Sequence, residues 1–287
     1  MNLPNEKRLE MNKTLLVCID GFRGDAIEKA HTPVLDYLIK KGASCLTVKT
    51  VTPSLTLPSH FSIFTSLAPY SHGVLTNTAL PDISSLSQSL FAHIKQHGGM
   101  TSSFYSWEHL RNLALPGAMD YVFLNRLNRE KDLIVLAGAA TAHIVTRRPD
   151  FSFVYYEWLD IIGHRHGWMS KDYLTALELT DQALGLMLDG IDLFSDENSF
   201  NLVVISDHGG KERHHLDDSP EVTNVPFIAC GRHIREGYRI KDEICLLDMA
   251  PTVAQLLGIP PHFAWEGKPV SEMMKSIPRQ QPLTKVA

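Results

Sequence analysis

Short apolar runs alternate along the chain with longer amphipathic segments, a pattern typical of successive β-α-β units. Most of the short runs are rich in Val, Ile, Leu and Phe without strict polar alternation, which predicts strands covered on both faces. The predicted strands are Thr14–Ile19, Cys45–Val51, Met100–Tyr105, Phe151–Tyr156, Leu202–Ile205 and Val225–Ala229. The predicted helices are Thr32–Lys40, Ser59–Ser66, Ile83–Gln96, Asp132–Thr146, Tyr173–Leu188 and Leu247–Leu257. We therefore predict an α/β fold, a doubly wound and mostly parallel central sheet with helices on both faces.

The predicted elements belong to one unit, because no Ser/Gly linker, low-complexity tract or internal repeat divides the chain. Residues 13–275 are expected to form a single catalytic domain, a size that one α/β core can supply. Residues 1–12 and 276–287 are polar or contain Pro, and we expect them to be flexible ends. The least regular stretch, Ser106–Asn128, is predicted to be a loop over the site.

The composition is that of a globular enzyme and argues against two classes of partner. The 287 residues are 44% hydrophobic and 21% charged, with a net charge of -5. This balance lacks the excess of basic residues that is typical of proteins that bind a nucleic-acid polymer. No apolar run approaches the roughly 20 residues of a membrane helix, so no membrane partner is expected. The sequence does not predict an oligomeric state.

The cysteines and the first residues predict the compartment. Met1–Lys13 is polar and lacks the apolar core of a secretory signal. The four cysteines are widely scattered, and most lie inside or beside apolar runs, where a free thiol behaves as a small hydrophobe. They are Cys18, Cys45, Cys230 and Cys245. We interpret them as reduced, with disulfides as the alternative, and expect a cytoplasmic protein.

The run Asp207-His208-Gly209-Gly210 follows the predicted strand Leu202–Ile205 after a single Ser. Ligands of open α/β sheets bind outside the carboxyl ends of the strands, and a carboxylate beside an imidazole there can hold a divalent metal. Asp20 stands in the same position after Thr14–Ile19. Taken alone, the Asp-His pair could be a surface turn, and Asp20 could cap the next helix.

Thr56 lies in the polar segment 52–60, which follows the predicted strand ending near Val51. Pro58 suits a helix start and would place Thr56 just before a helix N-terminus, where N–H groups and the helix dipole favour an anion. A hydroxyl there could be a nucleophile if a base or a metal activates it. The alternative is that the Ser and Thr side chains only cap the helix.

Asp160 and His164 follow the predicted strand Phe151–Tyr156 and are four residues apart. On a helical turn this spacing places both on one face, as two ligands of one metal require. His166 cannot share that face, and we interpret it as structural or close to the substrate.

The polar loop 211–218 adds His214 and His215, and spacing alone does not decide which of them completes a site. Four strand ends thus deliver Asp, His, or Ser and Thr side chains to the same edge of the sheet. One such strand end could be accidental. Four together predict a shared active site with two metals.

Several motifs occur together in the order found in a known family. They are residues 19–23 (IDGFR), 53–60 (PSLTLPSH) and 72–77 (HGVLTN), Asp160 with His164, residues 207–209 (DHG), and His215 before Ser219-Pro220. From about Leu15 to Gly258 the chain resembles the type I phosphodiesterase/nucleotide pyrophosphatase branch of the alkaline phosphatase superfamily. The resemblance implies an alkaline-phosphatase-like fold and a hydrolase of phosphoric ester or phosphoanhydride bonds.

The resemblance implies two divalent metal ions, usually Zn²⁺, although the same ligands also suit Mn²⁺ or Fe. The ligands implied for one metal are Asp160, His164 and His215. Those implied for the other are Asp20, Thr56, Asp207 and His208. His215 is selected over His214 because the family's ligand stands four residues before a Ser-Pro step.

The resemblance also assigns a role to Asn77, whose amide would donate to a phosphoryl oxygen. The sequence alone would identify Asn77 only as a turn residue. Two positions depart from the family: Ser59 stands where diesterases often have Asn, and Leu159 where Pro is usual. We expect a compact relative, shorter than the secreted eukaryotic members and without their Cys-rich modules.

The implied reaction is attack of Thr56 on phosphorus, giving a covalent phospho-threonine that water hydrolyses. The expected partner is a small phosphorylated substrate. Candidates for a further phosphate contact are Arg23, Arg165 and Arg213, with exposed structural roles as the alternative. Candidates for stacking on a base are Tyr105, Trp107 and Trp168, with the hydrophobic core as the alternative.

Other reactions on the same metal core are phosphomonoester hydrolysis, phosphonate hydrolysis and phosphate transfer by a mutase. A sulfatase is disfavoured, because its nucleophile is a modified Cys or Ser and Thr56 stands there. A non-catalytic binding protein is the remote alternative, since all six protein ligands and the hydroxyl are present. The leaving group is not predicted.

Overall fold

One sheet of eight strands organises the described residues, which are 11–79, 83–193, 195 and 200–275 of the computed structural model. The strands are β1 (Lys13–Ile19), β2 (Ala43–Lys49), β3 (Thr101–Tyr105), β4 (Tyr121–Leu124), β5 (Phe151–Tyr156), β6 (Phe200–Ile205), β7 (Asn224–Cys230) and β8 (Tyr238–Arg239). Their order across the sheet is β4-β3-β5-β1-β6-β7-β2-β8. Strand β7 is antiparallel to its neighbours β6 and β2, and the other pairs are parallel. The predicted mostly parallel sheet is confirmed.

Helices connect the strands and cover both faces of the sheet. Within the described ranges they are α1 (Pro33–Lys41), α2 (Thr56–Thr65), α3 (Pro69–His72), α4 (Ile83–Ser87), α5 (Leu90–Gln96), α6 (Lys131–Arg147), α7 (Trp158–His166), α8 (Lys171–Ile191), α9 (Pro220–Thr223) and α10 (Met249–Leu257). None of these helices is both long enough and apolar enough to span a membrane.

All six predicted strands are present, but β2 begins and ends two residues before the predicted Cys45–Val51. Strands β4 and β8 were not predicted, because each is a short strand at an edge of the sheet. A short, partly exposed run carries little of the burial pattern on which strand prediction depends. β4 lies within Ser106–Asn128, where a loop was predicted. The same stretch contains a 3₁₀-helix, Glu108–Leu113, that packs against α2.

Three differences concern the helices. The predicted Ile83–Gln96 is two helices, because the Ser89 hydroxyl accepts a hydrogen bond from the Ala92 N–H at 3.3 Å and caps α5. Helix α7 was not predicted as an element, although the helical turn considered for its Asp and His residues is part of it. Helix α2 begins at Thr56, three residues before the predicted start at Ser59.

The hydrophobic core has two layers, one on each face of the sheet. Leu16 and Cys18 of β1 point into the layer shared with α2, α5 and α10. The alternate residues Leu15, Val17 and Ile19 point into the layer shared with α1, α6 and α8. Successive side chains of a strand face opposite sides, so this division confirms the doubly wound arrangement.

The predicted flexible ends fall mostly outside the described residues, and residues 1–10 and 276–287 are not described. Asn12, within the predicted N-terminal segment, is attached to the domain, since its side-chain N–H donates to the Leu256 carbonyl at 3.0 Å. Strands β5, β1 and β6 are adjacent and parallel, so their carboxyl ends meet at one edge. The candidate residues lie at that edge.

Candidate metal and nucleophile site

Three carboxylates meet at the carboxyl edge of the sheet. Asp20 follows β1, Asp207 follows β6 after one residue, and Asp160 lies in the first turn of α7. A Cβ built on Gly21, which has φ +68°, would lie 3.1 Å from the Cα of Asp160. The absence of a side chain at position 21, together with its positive φ, favours this close approach of the loop after β1 to α7.

Asp160, His164 and His215 form one group of candidate ligands, whose ligand atoms all lie within 4.8 Å of one another. The Asp160 Oδ1 atom is 3.5 Å from the His164 Nε2 atom, as the spacing on one face of a helix predicts. His214 lies outside this group, and its Nδ1 accepts from the Leu216 N–H at 3.5 Å within its own turn. The structure therefore brings His215, and not His214, to the site.

A second group surrounds the His208 ring. Its Nε2 atom is 3.3 Å from Asp20 Oδ1, 3.4 Å from Asp207 Oδ2 and 3.3 Å from the Thr56 hydroxyl oxygen. Asp20, His208 and Asp160 also have ligand atoms within 4.8 Å of one another. Asp160 thus lies between the two groups, a position that sequence spacing did not predict.

Backbone carbonyls determine which nitrogen of each candidate histidine is free. The Nδ1–H groups donate to carbonyl oxygens: His164 to Arg213 at 2.9 Å, His208 to Gly209 at 2.9 Å, and His215 to Ser54 at 2.7 Å. A carbonyl can only accept, so each Nδ1 carries the proton and each Nε2 of a neutral ring has a lone pair. This is the tautomer and the outer support that metal-binding histidines require.

The carboxylates present oxygens that the protein does not satisfy. Asp20 Oδ1, Asp160 Oδ1 and Asp207 Oδ2 are buried without a hydrogen-bond partner among the described residues. Burial raises the pKa of Asp20 well above its usual range, and the charges of Asp207 and Asp160 raise it further. Burial also raises the pKa of Asp160, with further increases from Asp207 and Glu157.

Burial, followed by the neighbouring His208, lowers the pKa of His215 to about 3, so its imidazole is neutral at neutral pH. Unpaired buried carboxylates beside neutral imidazoles are costly unless a cation is present. The set of carboxylate oxygens and imidazole nitrogens fits Zn²⁺ and also suits Mn²⁺ or Fe. The residues present therefore fit the implied divalent metals.

Thr56 is the first residue of α2 and is buried, with its hydroxyl directed at the second group. Asn77 lies beside it, because the Asn77 Oδ1 atom accepts a hydrogen bond from the Leu57 N–H at 2.9 Å. This bond fixes which end of the amide faces the helix, and it directs the Nδ2 donor elsewhere. The structure thus places the Asn77 amide against the first turn of the helix that begins with the candidate nucleophile.

Two buried residues that sequence reasoning missed support this arrangement. The Tyr155 hydroxyl donates to Asp20 Oδ2. The His60 Nδ1–H donates to the Thr56 carbonyl at 2.8 Å, and the same nitrogen is 3.7 Å from Asp207 Oδ2. A tyrosine in a fully buried strand needs a partner for its hydroxyl, which is a signal that could have identified Tyr155.

Other candidates have different partners. The His166 ring pairs with Asp172 at 3.0 Å, away from the group. The Arg23 guanidinium binds Asp25 at 2.7 Å and the Gly210 carbonyl at 3.1 Å, which leaves it as a structural link. Arg165 and Arg213 are exposed, as their alternative role predicted. Ser59 is buried, 3.4 Å from the Thr50 hydroxyl.

The sequence matches a family profile described as type I phosphodiesterase / nucleotide pyrophosphatase over residues 14–224. The chain is 29% identical over 224 residues to ectonucleotide pyrophosphatase/phosphodiesterase family member 1 of Rattus norvegicus, a match that covers 70% of this chain and 24% of that protein. It is 26% identical over 227 residues to venom phosphodiesterase CdcPDE of Crotalus durissus collilineatus, covering 71% of this chain and 27% of that protein. The chain thus spans about a quarter of the length of the curated relatives it matches.

Solved structures share the fold at low sequence identity. Human ectonucleotide pyrophosphatase/phosphodiesterase 5 superposes with a TM-score of 0.78 and 16% identity, covering 92% of this chain and 100% of that one. An inactive variant of the murine protein in complex with AMP gives a TM-score of 0.76, with 16% identity and the same coverage. A phosphonate monoester hydrolase from Silicibacter pomeroyi gives 0.74 at 13% identity, covering 94% of this chain and 78% of that one. The alkaline-phosphatase-like fold is confirmed, and the chain belongs to the type I phosphodiesterase/nucleotide pyrophosphatase family.

Proposed function

We propose that the protein is a metal-dependent hydrolase of phosphate esters that acts as a phosphodiesterase or nucleotide pyrophosphatase. One observation carries the proposal: lone pairs of three imidazoles and unpartnered oxygens of three carboxylates converge beside the Thr56 hydroxyl. In-line displacement at phosphorus needs a nucleophile and neutralisation of the phosphate charge at one place. Membership in the family supports this assignment.

The proposed cofactors are two divalent ions, with Zn²⁺ as the expected metal. Asp160, His164 and His215 would hold one. Asp20, Asp207 and His208 would hold the other, together with the Thr56 oxygen. When bound, such ions neutralise phosphate charge and lower the pKa of the hydroxyl.

The proposed nucleophile is the Thr56 hydroxyl oxygen. It forms a bond to phosphorus while the bond from phosphorus to the leaving oxygen breaks. The Thr56 hydroxyl loses one proton in this step and the leaving oxygen gains one, so the number of protons is unchanged. Water then hydrolyses the phospho-threonine and restores the hydroxyl. The helix begins at Thr56, and the hydroxyl oxygen lies 3.3 Å from the His208 Nε2 atom.

The proposed role of Asn77 is to bind a phosphoryl oxygen through its Nδ2 donor. Its Oδ1 atom is already bonded to the first turn of α2, so the amide cannot turn over without losing that bond. A donor held in advance stabilises charge that develops in the transition state without reorganising.

The proposed substrate class is a small phosphodiester or pyrophosphate with a nucleotide part. Support comes from the relatives named as nucleotide pyrophosphatases and phosphodiesterases, and from the murine homologue bound to AMP. In this proposal the site acids and imidazoles hold the metals that bind the phosphate group, so the choice of leaving group would rest on other residues. A cytoplasmic location remains part of the proposal, supported by the four cysteines, all of which are free.

A pair of chromogenic substrates tests the proposal. The nitrophenyl ester of a nucleoside monophosphate reports diesterase activity, and nitrophenyl phosphate reports monoesterase activity. We expect kcat/KM to be higher for the diester, and a chelator to abolish turnover of both. A higher kcat/KM for the monoester would identify a phosphomonoesterase, and turnover that survives complete metal removal would contradict the metal-dependent mechanism.

A further inference from the structure

The indole of Trp168 is packed between glycines of two segments that carry candidate ligands. A Cβ built on Gly163, the neighbour of His164, would lie 2.7 Å from the Trp168 Cε2 atom. A Cβ built on Gly210, two residues after His208, would lie 2.0 Å from the same atom. Carbon atoms do not approach so closely without overlap, so the indole occupies space that exists only because both positions are glycine.

Trp168 is also hydrogen-bonded to the loop after β1 and, at a second point, to the loop after β6. Its Nε1–H donates to the Gly21 carbonyl at 2.9 Å, directly after Asp20. Its backbone N–H donates to the Glu212 carbonyl at 2.7 Å, in the loop that carries His215. One residue thus joins α7, the loop after β1 and the loop after β6.

The indole is in edge contact with both histidines of the Asp160 group. Its ring centre is 5.0 Å from that of His164, at an interplanar angle of 85°, and 6.1 Å from that of His215, at 70°. Each imidazole is held at Nδ1 by one carbonyl, and a single hydrogen bond still allows a ring to tilt. The His215 ring is also stacked on the His208 ring, with ring centres 3.7 Å apart. The indole edge is a further contact that limits the tilt of both His164 and His215. With 6% of its surface exposed, the ring is not available to stack on a base.

We propose that Trp168 is a positioning residue that orients His164 and His215 toward one metal. Its removal would lower the affinity for that metal and leave the affinity for the other metal unchanged. The inference rests on the proposed two-metal function. The ring contacts given above do not involve the candidate nucleophile or the amide of Asn77, so we expect loss of the ring to lower kcat and to leave KM nearly unchanged.

Zinc binding measured with a competing chelator tests the proposal in the full-length protein. We expect two equivalents in the wild type. In Trp168→Leu we expect one at wild-type affinity and the other weakened about 10- to 100-fold, the usual effect of losing outer support of a ligand. If the Trp168→Leu protein does not fold, Trp168→Phe is the second variant, because it keeps an aromatic ring and loses only the hydrogen bond to Gly21. In this variant the affinity for the same zinc ion should fall by a smaller factor.

The matched control is Trp265→Leu. Trp265 is also buried, and its Nε1–H donates to the Gln88 carbonyl at 2.8 Å, but its ring neighbours are His93 and His262 outside the site. This variant should lower thermal stability and keep both zinc affinities.

A double-mutant cycle with Gly163→Ala separates packing from a general loss of stability. In the wild-type background the added methyl group meets the indole and should lower the melting temperature of the metal-free protein. In the Trp168→Ala background it has room, and alanine in a helix should then raise the melting temperature.

An equal effect of Gly163→Ala in both backgrounds would overturn the packing argument. Unchanged affinity for both zinc ions in Trp168→Leu would overturn the positioning role. Fewer than two zinc ions in the active wild type would instead contradict the proposed function.

Discussion

The Nε2 atom of His208 and the hydroxyl oxygen of Thr56 are 3.3 Å apart, although 152 positions separate the residues in the chain. The His208 Nδ1–H is bonded to the Gly209 carbonyl, so the lone pair of Nε2 faces the hydroxyl. This pair links the start of α2 with the end of β6. It places the Thr56 hydroxyl beside a candidate metal ligand at the carboxyl edge of the sheet.

Replacement of the hydroxyl tests the nucleophile. Thr56→Ala should lower kcat by roughly 10³-fold or more, since loss of a nucleophile removes the covalent route entirely. Thr56→Ser keeps a hydroxyl at the helix start and should retain part of the activity. Steady-state kinetics, with circular dichroism and metal analysis of each variant, would check this. Wild-type kcat in folded, metal-loaded Thr56→Ala would exclude Thr56 as the nucleophile.

The two ends of the Asn77 amide can be tested separately. Asn77→Asp keeps an acceptor for the Leu57 N–H but removes the Nδ2 donor, so kcat should fall roughly 10²- to 10³-fold with little loss of stability. Asn77→Ala removes both the donor and the acceptor and leaves the Leu57 N–H without this partner. In addition to the fall in kcat, it should lower the free energy of unfolding by about 1–3 kcal/mol. Kinetics and thermal unfolding would distinguish them. Equal kcat in Asn77→Asp and the wild type would exclude the donor role.

Metal removal should lower stability as well as activity. The apposed carboxylates repel one another without a cation, so zinc at about 100 times its Kd should stabilise the folded protein by roughly 2.7 kcal/mol for each site that it fills. In Asp20→Asn one of these charges is absent. That variant should be more stable than the wild type when metal-free and should bind zinc more weakly. Calorimetry with and without metal checks the rise in stability of the metal-free variant and the fall in its zinc affinity. A metal-free Asp20→Asn protein less stable than the metal-free wild type would count against this account.

His72 should contribute to the pH dependence of stability independently of any metal. Its Nε2–H donates to the Ser62 hydroxyl at 3.1 Å and its Nδ1 accepts from the Val74 N–H at 3.1 Å, so both nitrogens are occupied in the neutral form. Burial lowers the pKa of His72 to about 4 from its ordinary value of 6.5.

Because the pKa is lower in the folded state, the unfolded chain takes up a proton first as the pH falls. The contribution of His72 is therefore intact above pH 6.5 and is lost between pH 6.5 and about 4, with a slope of at most about 1.4 kcal/mol per pH unit. His72→Gln should flatten that part of the curve. Urea unfolding of both proteins from pH 4 to 8 measures the difference, and parallel curves would show that His72 does not titrate on unfolding.

The regular elements were predictable where burial extends over a whole strand. Phe151–Tyr156 agrees with the structure at both ends, and Leu202–Ile205 lacks only its first two residues. The edge strand Tyr121–Leu124 was missed because it is short and largely exposed. At the site, Asp160 and His164 were predictable as a pair because one helix face relates them. The contact of Tyr155 with Asp20 and the approach of His60 to Asp207 were not, because those partners lie in distant segments.

The order of apolar runs and the polar residues that end them determined the α/β class, the edge that carries the site and the side chains that reach it. These features depend on short-range periodicity and on the shared direction of parallel strands. Only the tertiary structure decided the orientation of the Asn77 amide, the place of Asp160 between two groups and the packing of Trp168 between two glycines. Each of these depends on hydrogen bonds or close contacts between segments distant in the chain, and the local sequence pattern does not specify them.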